Sequence, residues 1–332
     1  AEPVTRQDIF VAHFPGTIFI RLDRITRRGS MLKLYRKYNA ICPVGSPTGR
    51  RRKMNSFISC IGGKKLLRDD ILARLPPQYD KYIEVFGGAG WVLFRKPQDR
   101  KMEVYNDFNS NLVNLFRCVR DKPNKLKYKL LYVLNSREDF DWIATLHKKK
   151  LFPRFRDVDR AAKFFQLIRY SYASGLDSFG CQPHSMWADF PQIDMASMRL
   201  QKVLIENRDF EKLIKQYDST GSFFYCDPPY FATENYYKDV GFTAKDHLRL
   251  RDTLMGIKGK FLVSYNDCPE IREIWDEPNI NIEEISRLNN LAQRYEGGCQ
   301  YAELLISNYD TTQRVGTIDQ LSFFNEKGEF IS

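Results

Sequence analysis

Histidine is scarce in this chain and cysteine is unorganised. The four histidines fall at 13, 147, 184 and 247, and the seven cysteines at 42, 60, 118, 181, 226, 268 and 299. No C-x-x-C pair or ligand spacing occurs among them, so no metal is expected. A scattered, odd set of cysteines points instead to reduced thiols in a cytoplasm, several of them simply buried. Long apolar runs are missing as well. None approaches the roughly 20 residues of a membrane helix, so no membrane span is expected. Arg21, Asp23 and Arg24 break the first thirty residues where a secretory signal needs an apolar core. No Ser/His/Asp or Cys/His arrangement offers a nucleophile with its base.

What is present is a core and a charge. Hydrophobic residues make up 43% of the 332 and aromatics 14%, enough for one large domain or two modest ones. The net charge of +11 favours nucleic acid or an anionic membrane surface as partner, against the alternative of solvated lysine with no partner. Residues 1–53 differ from the rest. They hold "RITRRGS" and "CPVGSPTGRRRK" and read as a basic extension with the composition of a poorly ordered arm, in which "FPGTIFIRL" has a strand-like pattern. Met54 looks like the start of a folded domain.

From there strands and helices alternate. "KYIEVF" (81–86), "KMEVYND" (101–107), "KVLIENRDF" (202–210), "SFFYCDPP" (222–229), "KFLVSYND" (260–267), "INIEEIS" (280–286) and "AELLISNYD" (302–310) are seven strand candidates. Helical patterns lie between them at 110–121, 210–218 and 244–257. This alternation argues an α/β fold, a doubly wound, mainly parallel sheet that binds ligands beyond the carboxyl ends of its strands. Residues from about 120 to 200 interrupt it with basic and aromatic helical sequence, too long for a loop and read as an inserted subdomain. Within it Lys148, Lys149, Lys150, Arg154 and Arg156 are candidate phosphate contacts, or else a solvated helix face.

Three features gather on one edge of such a sheet. "EVFGGAGWVLF" puts Gly87, Gly88 and Gly90 after a strand, where glycine lets a ligand approach the backbone or merely packs a helix. It lacks the G-x-G-x-x-G spacing, which weakens a nicotinamide or flavin reading. About 20 residues on, Asp107 stands where an acid can accept both hydroxyls of a ribose. "FFYCDPPYF" (223–231) ends an apolar strand with an acid, two prolines and a tyrosine. Proline cannot donate to a ladder, so Pro228 and Pro229 lie past the strand end. They make either a stiff turn or a fixed acceptor site, with Asp227 and its carbonyl to catch an amine and Tyr230 to stack on a base.

Taken in order, "FGGAG", the acid in "NDFN", the insert and "DPPY" resemble the Dam-type adenine-specific DNA methyltransferases, from residue 56 to 310. "SFISCIGGKKLL" (56–67) resembles that family's G-G-K motif, with Cys60 where an aromatic is frequent, while "SYND" and "ELLISNYD" resemble its later strands. The resemblance implies a seven-stranded Rossmann-like methyltransferase sheet. It implies S-adenosylmethionine as cofactor, double-stranded DNA as partner, and transfer of a methyl group to the exocyclic amine of a flipped adenine. Lys64, Phe86, Gly87, Gly88, Gly90, Asp107 and Asp227 would then touch the cofactor. Asp227, Pro228, Pro229 and Tyr230 would be catalytic. Arg169 and Tyr172 in "RYSYASGL" (169–176) would join the insert's basic residues on DNA.

The expected division is an extension (1–53), a first catalytic part (54–120), a target-recognition insert (121–200) and a second catalytic part (201–332). A catalytically dead fold that only binds DNA, or a methylase of the cytosine amine, are the competing readings. A cytosine carbon-5 enzyme needs a cysteine after proline, and "CPE" (268–270) has the reverse order. Such an enzyme works in the cytoplasm of a bacterial or phage-infected cell. A cognate restriction endonuclease accompanies it where it belongs to a restriction–modification pair, and none where it is a solitary prophage or housekeeping methylase.

Overall fold

Seven strands share one sheet in the computed structural model: β1 (Lys81–Glu84), β2 (Met102–Asn106), β3 (Val203–Glu206), β4 (Ser222–Cys226), β5 (Lys260–Asn266), β6 (Asn281–Leu288) and β7 (Gln300–Ser307). The structure describes residues 54–59, 63–231, 241–288 and 300–312. The extension 1–53 with its strand-like "FPGTIFIRL", and Cys60, lie outside the described residues. The strand order is β3-β2-β1-β4-β5-β7-β6. Neighbours from β3 to β5 pair in parallel, and β7 runs antiparallel between β5 and β6. The α/β class argued from the alternation, and the seven-stranded, Rossmann-like sheet implied by the resemblance, are therefore what the chain forms.

The order reverses between β1 and β4. Strands β1, β2 and β3 build one way from the middle and β4 and β5 the other, so the ends of β1 and β4 lie side by side at a topological switch point. In register, Glu84 of β1 faces Tyr225 of β4.

Side chains alternate across a strand, and the two sides of this sheet differ in chemistry. Ile83, Val85, Val104, Phe224, Cys226, Phe261, Val263, Tyr265, Leu304 and Ile306 form one apolar face. Packed with it are Leu213 and Ile214 from a helix that Asp209 caps, Leu250 and Leu254 from a helix opened by the Thr243–Asp246 capping box, and Trp275. Cys226, next to the motif acid, is core packing.

The alternate positions carry Tyr82, Glu84, Glu103, Tyr105, Tyr225, Ser264 and Glu303, all buried. Carboxylates can lie here only because partners meet them. Arg199, from the helix Phe190–Leu200, reaches both oxygens of Glu103 at 2.6 and 2.7 Å, and Lys96 lies 3.2 Å away. This pairing ties the last helix of the β2–β3 connection to β2. Between that helix and β2 run four α-helices: Ser110–Asp121, Pro123–Leu130, Arg137–Lys148 and Asp157–Tyr170. The first, capped by Asn109, is the helix expected at 110–121, and the other three with Phe190–Leu200 occupy the helical interruption expected between about 120 and 200.

Candidate active site

The chain leaves β1 through Phe86 into the glycine turn. Gly88 and Gly90 have φ of 51° and 69°, left-handed values that glycine adopts without strain. Gly87 is glycine for a different reason. A Cβ there would lie 2.2 Å from the ring of Tyr105, whose hydroxyl donates to the Gly88 carbonyl at 2.7 Å. At Gly88 a Cβ would meet nothing within 4 Å, so the backbone at this residue faces open space. Phe86 braces the turn against the rings of Phe210 and Phe242 at 5.5 and 5.8 Å.

Asp107 follows β2 and is tied to the same turn. One carboxylate oxygen accepts the Gly88 N–H at 2.9 Å and the other accepts the Asn109 N–H at 2.7 Å. Burial pushes its carboxyl above the ordinary range, and these two amides oppose the push.

Across the switch point, Asp227 ends β4. Lys64 Nζ donates to its Oδ1 at 2.5 Å and Ser264 Oγ at 3.0 Å. Pro228 and Pro229 are buried, as is the Lys64 side chain, 3% exposed. Burial raises the Asp227 carboxyl, the lysine lowers it, and the charge of Glu303 raises it again. Lys64 also lies over the ring of Tyr230, 4.5 Å from its centre, and 4.0 Å from Glu303 Oε2. Burial raises the Tyr230 phenol well above its usual value, with Asp227 and Glu303 adding to it, so it stays protonated. The site thus brings together Lys64, the glycine turn, Asp107 and the D-P-P-Y residues picked out in sequence.

The other candidates lie elsewhere. Lys148, Lys149, Lys150, Arg154 and Arg156 are exposed, at the end of one insert helix and in the turn after it. Tyr172 is 58% exposed, in a loop where Ala173, Ser174 and Leu176 hold positive φ. Arg169 is engaged within the chain. Its guanidinium donates to the Phe57 carbonyl at 2.5 Å and pairs with Asp189 at 2.9 Å. Beside it, the hydroxyls of Ser59 and Ser174 meet at 2.6 Å, so this loop touches the segment that leads to Lys64.

Sequence reasoning missed three residues at the site: Ser264, Glu303 and Glu84. Each is a polar residue at an inward position of an otherwise apolar strand, and that was the available signal.

Residues 61–291 match the family model of the D12 class N6 adenine-specific DNA methyltransferases. The chain belongs to that family. It is 28% identical to the Type II methyltransferase M1.LlaDCHI of Lactococcus lactis subsp. cremoris, covering 78% of this chain and 98% of the relative. It is 25% identical to the DNA adenine methylase of Escherichia coli K12, covering 71% and 89%, and 22% identical to the Type II methyltransferase M.CviBI of Paramecium bursaria Chlorella virus NC1A, covering 67% and 87%. This chain is thus an adenine-specific DNA methyltransferase with DNA as its substrate, as the ordered motifs implied. Among the described residues no helix is long and apolar enough to cross a membrane.

Glu84, one strand from Asp227, makes the methyltransferase's polar layer measurable. Burial lifts its carboxyl to about 8 from 4.5, Asp227 adds to this, and the Tyr82 hydroxyl at 2.7 Å opposes it. The folded state therefore holds a proton that the unfolded chain releases above about 4.5, so this stability is full below about 4.5 and is lost as pH rises towards 8. Glu84→Gln should flatten the fall in melting temperature between pH 5 and 8 relative to the parent. Melting curves with the same pH dependence in both would contradict the assignment.

Proposed function

We propose that this methyltransferase transfers a methyl group from S-adenosylmethionine to the exocyclic amine of an adenine extruded from duplex DNA, with Asp227 as the acceptor that holds the amine. The observation that carries this reading is the position of Asp227. It is fixed by Lys64 and Ser264 at the end of β4, beside the glycine turn at the end of β1. Both bonds end on Oδ1, which leaves Oδ2 for an amine donor. The two buried prolines fix the backbone, so the Pro228 carbonyl is a second rigid acceptor. Fixed acceptors align the amine and raise its nucleophilicity, and alignment is the larger part of catalysis without a covalent intermediate. Tyr230 stacks on the extruded base, a contact worth about 1–3 kcal/mol. Extrusion is required because a paired adenine has its amine inside the duplex.

The residues present suit the cofactor. Open space over Gly88 admits the methionine part along the Phe86–Gly90 turn. Asp107, already oriented by two amides, has lone pairs left for ribose hydroxyls. Lys64 and Asp227 close the side nearest the methyl group. When bound, S-adenosylmethionine supplies a methyl group on positively charged sulfur. The carboxylate of Asp227 also offsets that charge, which is why a group at the base site counts among the cofactor contacts as well.

We further propose that residues 121–200 form the target-recognition part, between catalytic parts 54–120 and 201–332. Its exposed Lys148, Lys149, Lys150, Arg154 and Arg156 meet phosphates, and Tyr172 meets DNA from its strained loop. Arg169 serves this loop from behind, holding Phe57 and Asp189.

Incubation with labelled S-adenosylmethionine and unmethylated DNA should label the DNA. Asp227→Ala should cut transfer by a factor on the order of 10² or more while cofactor affinity stays within a few-fold. Unchanged turnover would refute the role of Asp227. For the insert, each lysine or arginine that meets a phosphate should lower the slope of log affinity against log salt by about 0.9 when changed to glutamine. A slope that does not move with all five changed removes them from the interface.

A further inference from the structure

The buried carboxylate of Glu303 has no place in the roles given so far. It sits on β7, fully buried, in register with Asn266 at the end of β5. A carboxylate in the centre of a sheet face is costly unless its surroundings use it. Its surroundings here are two residues of the methyl-transfer site. Lys64 Nζ lies between two acids, 2.5 Å from Asp227 Oδ1 and 4.0 Å from Glu303 Oε2. The Tyr230 hydroxyl faces Glu303 and interacts with it. One cation is thus held from two sides, and the ring on which the base would stack is oriented at its far end by the same acid.

We infer that Glu303 is a positioning residue for methyl transfer: from behind the site it holds the Lys64 ammonium and the Tyr230 hydroxyl, and so fixes Asp227 and the stacking ring. The inference rests on the reading of Asp227 and Tyr230 proposed above. Geometry supports it in two ways. Lys64 is a long, flexible side chain, and a single partner would leave its ammonium free to swing with the carboxylate it is meant to fix. A second anchor on an internal strand removes that freedom. Tyr230 follows two prolines, so its backbone is rigid and the remaining freedom is in the side chain; a contact at the hydroxyl limits that as well.

A second consequence concerns charge. The groups around Asp227 are Lys64 from the segment before the helix Arg68–Ala73, Glu303 from β7, Ser264 from β5, Glu84 from β1, and Tyr225, Cys226 and Tyr230 from its own stretch. Glu303 is an anion near an anion, so it holds the Asp227 carboxyl above the value Lys64 alone would set. Asp227 must be ionised to accept from an amine. Activity should therefore fall on the acid side as Asp227 takes up a proton, and the position of that fall should depend on Glu303.

The test is Glu303→Gln, which keeps shape and removes charge, measured as single-turnover methyl transfer against pH, with cofactor affinity by calorimetry and melting temperature alongside. The expected result is a turnover lower by about 10–10², an acid limb moved to lower pH, and cofactor affinity within about three-fold. A purely structural role would lower the melting temperature and leave the acid limb where it is in the parent; that outcome overturns the inference, as does an unchanged turnover. Should Glu303→Gln not fold, Glu303→Asp carries the test. It keeps the charge but withdraws it by about 1.5 Å, so turnover should fall by a similar factor with the acid limb moved to lower pH, and parental turnover, or an acid limb that stays where it is in the parent, overturns the inference. The two readings fail separately. A parent that transfers no methyl to DNA refutes the proposed function, whereas an active parent with an inactive Asp227→Ala and a parental Glu303→Gln refutes only the role of Glu303.

Discussion

The ion pair between Lys64 and Asp227 is the interaction on which the site depends. Its two members are 163 residues apart in sequence, and they meet in a layer from which most water is excluded. Such a pair is a weak source of net stability, because taking both charges out of water offsets most of their attraction. Apolar residues of the same volume would serve folding at least as well. What apolar residues cannot do is keep an ionised carboxylate at the end of β4 without letting it turn towards solvent. The pair is best understood as a means of presenting Asp227.

The sheet divides the work between its faces. The apolar face supplies the burial that keeps the strands in place, with Phe224, Val263 and Ile306 as typical members. The other face carries acids and hydroxyls, with Arg199, Lys96 and Lys64 brought in by flanking segments to meet them. Reversal of strand order between β1 and β4 then sets the glycine turn and the D-P-P-Y turn side by side. On the proposed reading, cofactor and base sites adjoin because of topology, with the polar layer beneath both.

Much of this was legible in the sequence, for physical reasons that differ by element. The parallel strands showed because strands buried on both faces read as apolar runs, and "SFFYC" is buried throughout; the antiparallel β6 and β7 showed through their recurring isoleucines and leucines. The glycine turn and the prolines showed because only those residues suit such backbones. What pairs with what did not show. Nothing in "INIEEIS" or "AELLISNYD" says that the later strand enters the sheet between β5 and β6 in the opposite direction. Arg169 reads as a contact to DNA from its place in "RYSYASGL", and nothing in the sequence marks its carbonyl and carboxylate partners, Phe57 and Asp189. Glu303 was passed over for a related reason: a lone acid in a strand pattern looks like a solvent-facing residue until its neighbours are known.

The most direct measurement is sequencing, with detection of modified bases, of DNA from cells that express this protein. The account predicts N6-methyladenine at one short recurring sequence, present with the parent chain and absent with Asp227→Ala. Methyl groups on cytosine, or no modified base with the parent, would contradict it.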